Sequence, residues 1–336
     1  MPFLMIRNDI TKVAADAIVN PANRNLLQGS GTSRAIYQAA GEQELTAACE
    51  AIGHCEPGRA VCTPAFGLPA KYIFHAVCPA WHGGFFGEAK QLAGAYHSAL
   101  ELAAEYHCES VAFPLLSSGN YGYPKEQAFR IAVDTITQYV MEHDLTVYLV
   151  LYDRRSLAVS RKLFASVEEY IDDHYVDAHT DFIRSRPCPT FPAGRTMALC
   201  TAPAPEFHAA STSIRSLDDL LIHLDAGFSE TLLHLIDRSG QKDSEIYKKA
   251  NVDRKLFSKI RNNPDYKPSK ATAIAFAIAL ELNLDETRDL IARAGYALSA
   301  SSKFDVIIEY FIKQKQYDIF EINEALFAFE QNLLGA

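Results

Sequence analysis

Two stretches in the first half of the chain, Val111-Ala112-Phe113-Pro114-Leu115 and Val147-Tyr148-Leu149-Val150-Leu151-Tyr152, are almost wholly apolar. Such runs suit strands buried on both faces rather than strands with one wet side. Tyr72-Ile73-Phe74-His75-Ala76 reads as a third strand. Leu92 to Tyr106 and Glu126 to Met141 carry helical periodicity. Buried strands alternating with amphipathic helices imply an α/β domain with helices on both sides of a sheet.

The alternation does not last. After Asp177 come Pro187, Pro189, Pro192, Pro203 and Pro205 among Ser, Thr and Ala, and apolar periodicity disappears. This reads as a flexible linker, with a loosely packed arm as the alternative. From about Ile214 onward only helical patterns follow, among them an apolar stripe of Leu232, Leu233, Leu235 and Ile236 and an alanine-rich stretch from Ala271 to Leu282. The chain thus divides into an α/β domain (1–176), a Pro-rich linker (177–214) and an all-α domain (215–336). A length of 336 residues fits two domains.

Net charge is −9, which excludes a uniformly basic nucleic-acid coat but not a local basic patch. The seven cysteines form no Cys-x-x-Cys pair. An odd count at irregular spacing is expected of reduced thiols in a cytoplasm. No apolar run is long enough to span a bilayer, so no membrane partner is expected.

Four segments carry the chemistry. Asn8-Asp9-Ile10-Thr11 follows the strand Leu4 to Arg7. Ala17-Ile18-Val19-Asn20-Pro21-Ala22-Asn23 leads into Leu27-Gln28-Gly29-Ser30-Gly31 and a helix from Thr32 to Ala40, stopped by Gly41. Ser117-Ser118-Gly119-Asn120-Tyr121-Gly122-Tyr123-Pro124 follows a buried strand. Leu149 to Asp153 closes the last strand. The second and third segments are glycine-containing loops that follow extended chain and open helices. Glycine lets backbone N–H groups approach a phosphate, and a helix N-terminus adds partial positive charge. Pro124 suits the first turn of the second helix. Two such loops facing each other could clamp a pyrophosphate at the strand carboxyl ends. Asp9 could accept from an adenine amino group, and Tyr121 or Tyr152 could stack on a base or ribose. Each piece also has a plainer reading: a turn at Gly29-Ser30-Gly31, a cap at Asp9, a core ring at Tyr152.

The four segments in this order resemble the macrodomain family, modules that bind ADP-ribose. The resemblance covers Met1 to about Asp173 and includes Ala35-Ile36…Ala39-Ala40-Gly41 and Leu68-Pro69-Ala70-Lys71-Tyr72-Ile73-Phe74-His75. It implies a three-layer α/β/α fold around a mixed sheet, with ADP-ribose or an ADP-ribosylated macromolecule as the ligand and no further cofactor or metal. Asp9 and Ile10 would then meet the adenine, with Tyr152 stacked near it. Gly29 and Gly31, with Ser118, Gly119, Asn120, Tyr121 and Gly122, would cradle the diphosphate, and Ser33 is a further ligand-binding candidate. Asn20 would support the loop, and Asn23 would lie near the distal ribose as the candidate catalytic side chain.

The sequence departs from the hydrolase pattern of this family, Gly-Gly-Gly-Val-Asp-Gly before Ala-Ile. Here it reads Gly29-Ser30-Gly31-Thr32-Ser33-Arg34. Ser33 takes the acidic position thought to activate water, and a serine is no carboxylate base at neutral pH. That favours a binding module over an ADP-ribosyl or O-acetyl-ADP-ribose hydrolase, which stays as the alternative. Ligand loops that have lost their function in an adaptor protein form a third reading.

In the all-α part, Asp243 to Arg261 reads as helix, short turn, helix and looks like a phage-repressor-type helix-turn-helix, with Asp253 capping the second helix. Between Lys248 and Lys270 there are eight bases against two acids. Arg254, Lys255, Ser258, Lys259 and Arg261 are the candidate DNA-facing residues. A solvated basic face on a protein-interaction module is the competing reading. A DNA reader would dimerise, and the apolar segments Phe304 to Phe311 and Ile319 to Phe329 could supply a homodimer interface.

Overall fold

A computed structural model describes residues 2–151 and 226–335. The Pro-rich linker and Tyr152 lie outside the described residues. The first half holds six strands: β1 (Phe3–Arg7), β2 (Ala17–Ala22), β3 (Ala60–Pro64), β4 (Tyr72–Val77), β5 (Ser110–Pro114) and β6 (Thr146–Leu151). They form one sheet in the order β1-β6-β5-β2-β4-β3. All neighbours run parallel except β3, which pairs antiparallel with β4. The sheet is therefore mixed, as expected.

Helices α1 (Thr32–Ala40) and α2 (Glu42–Ile52) cover one face, and α3 (Glu88–Glu105) and α4 (Lys125–Glu142) cover the other. Alternation along each strand divides the side chains between the layers. Val111 and Phe113 of β5 pack with Leu92, Tyr96 and Ile136, whereas Ala112 packs with Ile18, Ile36 and Leu45. Pro124 stands at the cap position before α4, one residue ahead of the first helical turn.

The described part of the second half is helical: α5 (Phe228–Ser239), α6 (Asp243–Lys249), α7 (Arg254–Asn262), α8 (Lys270–Ala279), α9 (Leu284–Arg293), α10 (Lys303–Lys313) and α11 (Ile319–Ala328). The alanine-rich α8 is buried all round and forms the hub. Asp253 caps α7, its carboxylate accepting from Lys255 N–H at 3.0 Å.

The two halves pack directly on each other. Strand β1 pairs with β6 on one side only, and on its open side Asn251 takes the place of a neighbouring strand. Phe3 N–H donates to Asn251 Oδ1 at 2.6 Å, and Asn251 Nδ2 donates to Phe3 O at 2.9 Å. The Phe3 and Phe320 rings lie 5.7 Å apart, and Phe320, Phe327 and Leu333 pack against the core of the first half. Lys248 Nζ donates to Met141 O at 2.8 Å. The apolar segments expected to form a homodimer face are used inside the chain. Ile307, Ile308, Phe311, Ile319, Ile322 and Leu326 are buried in the helical core. Phe304 and Phe329, at the ends of the two segments, are partly buried against the same core.

Candidate functional site

The carboxyl ends of β1, β2, β4, β5 and β6 share one edge of the sheet, because all five strands are parallel. Ligands collect at that edge of an open α/β sheet. Four of the loops that leave it are described.

The loop after β2 is closed by its own side chains. Asn23 Nδ2 donates to Leu27 O at 2.7 Å, while its Oδ1 accepts from the N–H groups of Asn25 and Leu27 at 3.2 Å each. Ser33 is buried, and its hydroxyl accepts from Gly29 N–H at 3.2 Å. Gly31 caps α1 with φ +59° and ψ −124°, a conformation open to glycine and strained for other residues. A Cβ added there would meet nothing within 4 Å, so Gly31 faces open space.

The loop after β5 turns at Ser117, a non-glycine residue with φ +61° whose hydroxyl donates to Pro79 O at 3.1 Å. Ser118 Oγ donates to Leu115 O at 2.8 Å, and Gly122 N–H donates to Gly119 O at 2.9 Å. The two glycine loops touch: Asn120 Nδ2 donates to Ser30 Oγ. Among the described residues, the N–H groups of Ser30, Gly31 and Thr32 on one loop and of Ser118, Gly119, Asn120 and Tyr121 on the other donate to no protein acceptor. Amides without a protein acceptor at the start of a helix are groups that an anion could meet.

Beneath the first loop lies a buried polar cluster. Asn20 Nδ2 donates to His75 Nδ1 at 3.0 Å. The other ring nitrogen, Nε2, lies 2.9 Å from Thr63 Oγ1, so both ring nitrogens have polar partners. Burial lowers the His75 pKa to about 4. The folded protein holds this ring neutral while the unfolded chain protonates it near pH 6.5. Stability from this group is complete above pH 6.5 and is lost as pH falls towards 4, about 3 kcal/mol in all. Urea unfolding at pH 7 and at pH 4.5 is expected to show that loss, with no titration of the His75 ring resonances above pH 5. A ring that titrates near 6.5 would contradict the neutral cluster.

The loop after β4, 78–87, was not among the segments singled out from the sequence. It forms a third wall. Trp81 N–H donates to Tyr121 O at 2.8 Å, and the Trp81 ring packs 4.5 Å from Tyr123. The buried Glu88 carboxylate accepts from the N–H groups of His82 (3.1 Å), Gly84 (3.1 Å) and Phe86 (2.7 Å). Burial alone would raise its pKa, but these amides hold it below the usual carboxylate range. A Cβ at Gly84 would come within 2.9 Å of the Trp81 ring, so glycine is needed there for space as well as for its φ of +88°. The signal in the sequence was the spacing Gly83-Gly84…Gly87 with two phenylalanines between.

An open cleft of about 680 Å³ lies between the first and third loops, lined by Asn23, Leu27, Cys78, Tyr121 and their neighbours. Burial pushes the Cys78 thiol up to about 12, so it is neutral and no nucleophile. Burial also raises the Tyr121 phenol, whose hydroxyl donates to Ala22 O at 3.5 Å. Among the described residues the cleft has one lining carboxylate, Glu88, and that group is engaged by the three amides.

Asp9 caps the 3-10 turn Ile10–Lys12, accepting from Thr11 N–H at 3.0 Å and Thr11 Oγ1 at 2.8 Å through one oxygen. Ile10 beside it is buried. The basic residues of the helical half stand elsewhere. Arg254 lies 3.9 Å from Asp144, Lys255 lies 4.0 Å from Glu109, and Arg261 pairs with Asp243. Ser258 and Lys259 border a shallow depression with Asn262, Asn263 and Tyr266. Among the described residues no cluster of His, Cys, Asp or Glu could hold a metal ion, and no helix is long and apolar enough to cross a membrane.

A mixed six-stranded sheet with helices on both faces and two touching glycine loops at one edge defines the three-layer α/β/α class of domain. Comparison with known proteins narrows that class. A family model for the Macro domain matches residues 19–132. The chain is 46% identical over 168 residues to the O-acetyl-ADP-ribose deacetylase of Klebsiella pneumoniae, covering 48% of this chain and 95% of that protein. It is 41% identical over 165 residues to a Macro domain-containing protein of Methanosarcina mazei, covering 48% of this chain and 88% of that one. Among solved structures, the Oceanobacillus iheyensis macrodomain with ADP is 35% identical, at a TM-score of 0.45 over 49% of this chain and 90% of that one. The chain belongs to the Macro domain family through its first half.

Proposed function

We propose that the first half binds ADP-ribose, free or attached to a macromolecule, with the diphosphate between the glycine loops. The observation that carries this reading is the pair of touching loops whose N–H groups at Ser30 to Thr32 and Ser118 to Tyr121 have no protein acceptor among the described residues. The adenosine would lie towards Asp9 and Ile10, and the distal ribose in the cleft beside Asn23 and Tyr121. Calorimetry with the full chain tests it. ADP-ribose is expected to bind with a Kd on the order of micromolar, and AMP, which has a single phosphate, far more weakly. Asp9→Asn keeps an acceptor for the Thr11 cap but loses the carboxylate charge. It is expected to weaken ADP-ribose by about tenfold, the worth of a hydrogen bond to a charged group. An unchanged Kd would leave Asp9 as a cap alone.

A second reading, hydrolysis of an ADP-ribosyl or O-acetyl-ADP-ribose ester, is favoured by the 46% identity to a protein named O-acetyl-ADP-ribose deacetylase. Against it stand Ser33, tied to Gly29, and the occupied Glu88. The binding reading expects no release of ADP-ribose above the uncatalysed rate. Turnover lost in Asn23→Ala but kept in Ser33→Ala would establish the enzyme instead.

For the helical half we propose a coupling role, passing ligand occupancy to DNA or to a protein partner. Direct packing on β1 and α4 supports coupling. The acidic neighbours of Arg254 and Lys255 weigh against duplex DNA and for a protein. Binding to random duplex that falls steeply with salt would reverse that preference.

A further inference from the structure

Phe85 and Phe86 are 89% and 72% exposed, at the tip of the loop that walls the cleft. Two bulky apolar side chains in water at one place mark an interaction site. They are not on a loose tip. The Glu88 carboxylate ties down the backbone of Phe86 itself, and the Phe86 ring packs edge-on against His82 at 6.3 Å. Leu27, 56% exposed, lines the same cleft as Phe86, Asn23 and Tyr121. The apolar rim is therefore continuous with the pocket assigned to the distal ribose.

We infer that Phe85 and Phe86 form a docking platform for an apolar side chain of the polypeptide that flanks an ADP-ribosylated residue. The inference rests on the ADP-ribose reading and deepens it, since it concerns what lies beyond the distal ribose. An acetyl group alone would leave both rings in water. A nucleic acid would need a cationic track beside the aromatic rings. Among the described residues the one lysine or arginine lining this cleft is Arg24, and it is paired with Glu56 at 2.7 Å. A polypeptide carrying an apolar residue needs no such track.

The test uses the full chain and four probes: free ADP-ribose, two mono-ADP-ribosylated peptides that differ in leucine or serine beside the modified residue, and a DNA end carrying the same group. The wild type is expected to hold the leucine peptide about tenfold tighter than the serine peptide, the effect of burying one aliphatic side chain. The variant Phe85→Ser, at a residue outside the cleft lining, is expected to narrow that difference at least threefold while its Kd for free ADP-ribose stays within about twofold, as expected of a change at an exposed position. Equal affinity of the wild type for the two peptides would overturn the platform alone. So would a DNA probe bound more tightly than both peptides. A wild type that binds none of the four would overturn the ADP-ribose reading and the platform with it.

Discussion

Asn251→Leu is expected to lower the unfolding free energy of the full chain by about 4 kcal/mol, the largest stability loss of any single change considered. Each buried main-chain group left without a partner costs about 1–3 kcal/mol, and this change strands both the N–H and the C=O of Phe3. Asn251 also sits at φ +53°, where asparagine is tolerated and leucine is strained. Asn251→Asp keeps an acceptor for Phe3 N–H and loses the donor to Phe3 O, so an intermediate loss is expected. Urea midpoints at constant slope read both. A leucine variant within about 1 kcal/mol of wild type would show that the halves do not depend on this contact.

The second large effect is on the ligand. Gly31→Ala is expected to weaken ADP-ribose about a hundredfold while changing stability far less than Asn251→Leu does. The backbone at φ +59° and ψ −124° is a glycine conformation, and forcing another residue into it costs about 1–3 kcal/mol. The loop can escape that strain by turning its peptide groups, which misaims the amides that would meet the diphosphate. A Cβ at Gly31 meets no protein atom within 4 Å, so the methyl itself would project into the space the ligand would fill. Calorimetry on the variant checks this. An unchanged Kd would place the diphosphate elsewhere.

Much of the sheet was legible because burial on both faces leaves a local trace. The apolar run at Val111 became β5, the run at Val147 became β6, and the glycine loops fell where strand gave way to helix. The missing parts left no periodic trace. The contacts of the loop after β4 lie within six residues of one another, with Gly84 beside the Trp81 ring and Glu88 collecting the amides of His82, Gly84 and Phe86, but neither a strand nor a helix period records them. The contact between the halves joins residues 248 apart through one amide side chain, which no periodicity records. The apolar stretches from Phe304 and Ile319 were legible as apolar, but a sequence cannot distinguish a surface buried within the chain from one buried between copies. Arg254 and Lys255 were legible as basic, but not as facing Asp144 and Glu109 across the joint.

On the proposed reading both glycine loops grip one diphosphate. Amide resonances of the 15N-labelled full chain, followed during titration with ADP-ribose, address it most directly. Saturable shifts are expected at Gly29 to Thr32 and at Ser118 to Gly122 together, at one common Kd. Shifts confined to one loop, or none at millimolar ligand, would contradict it.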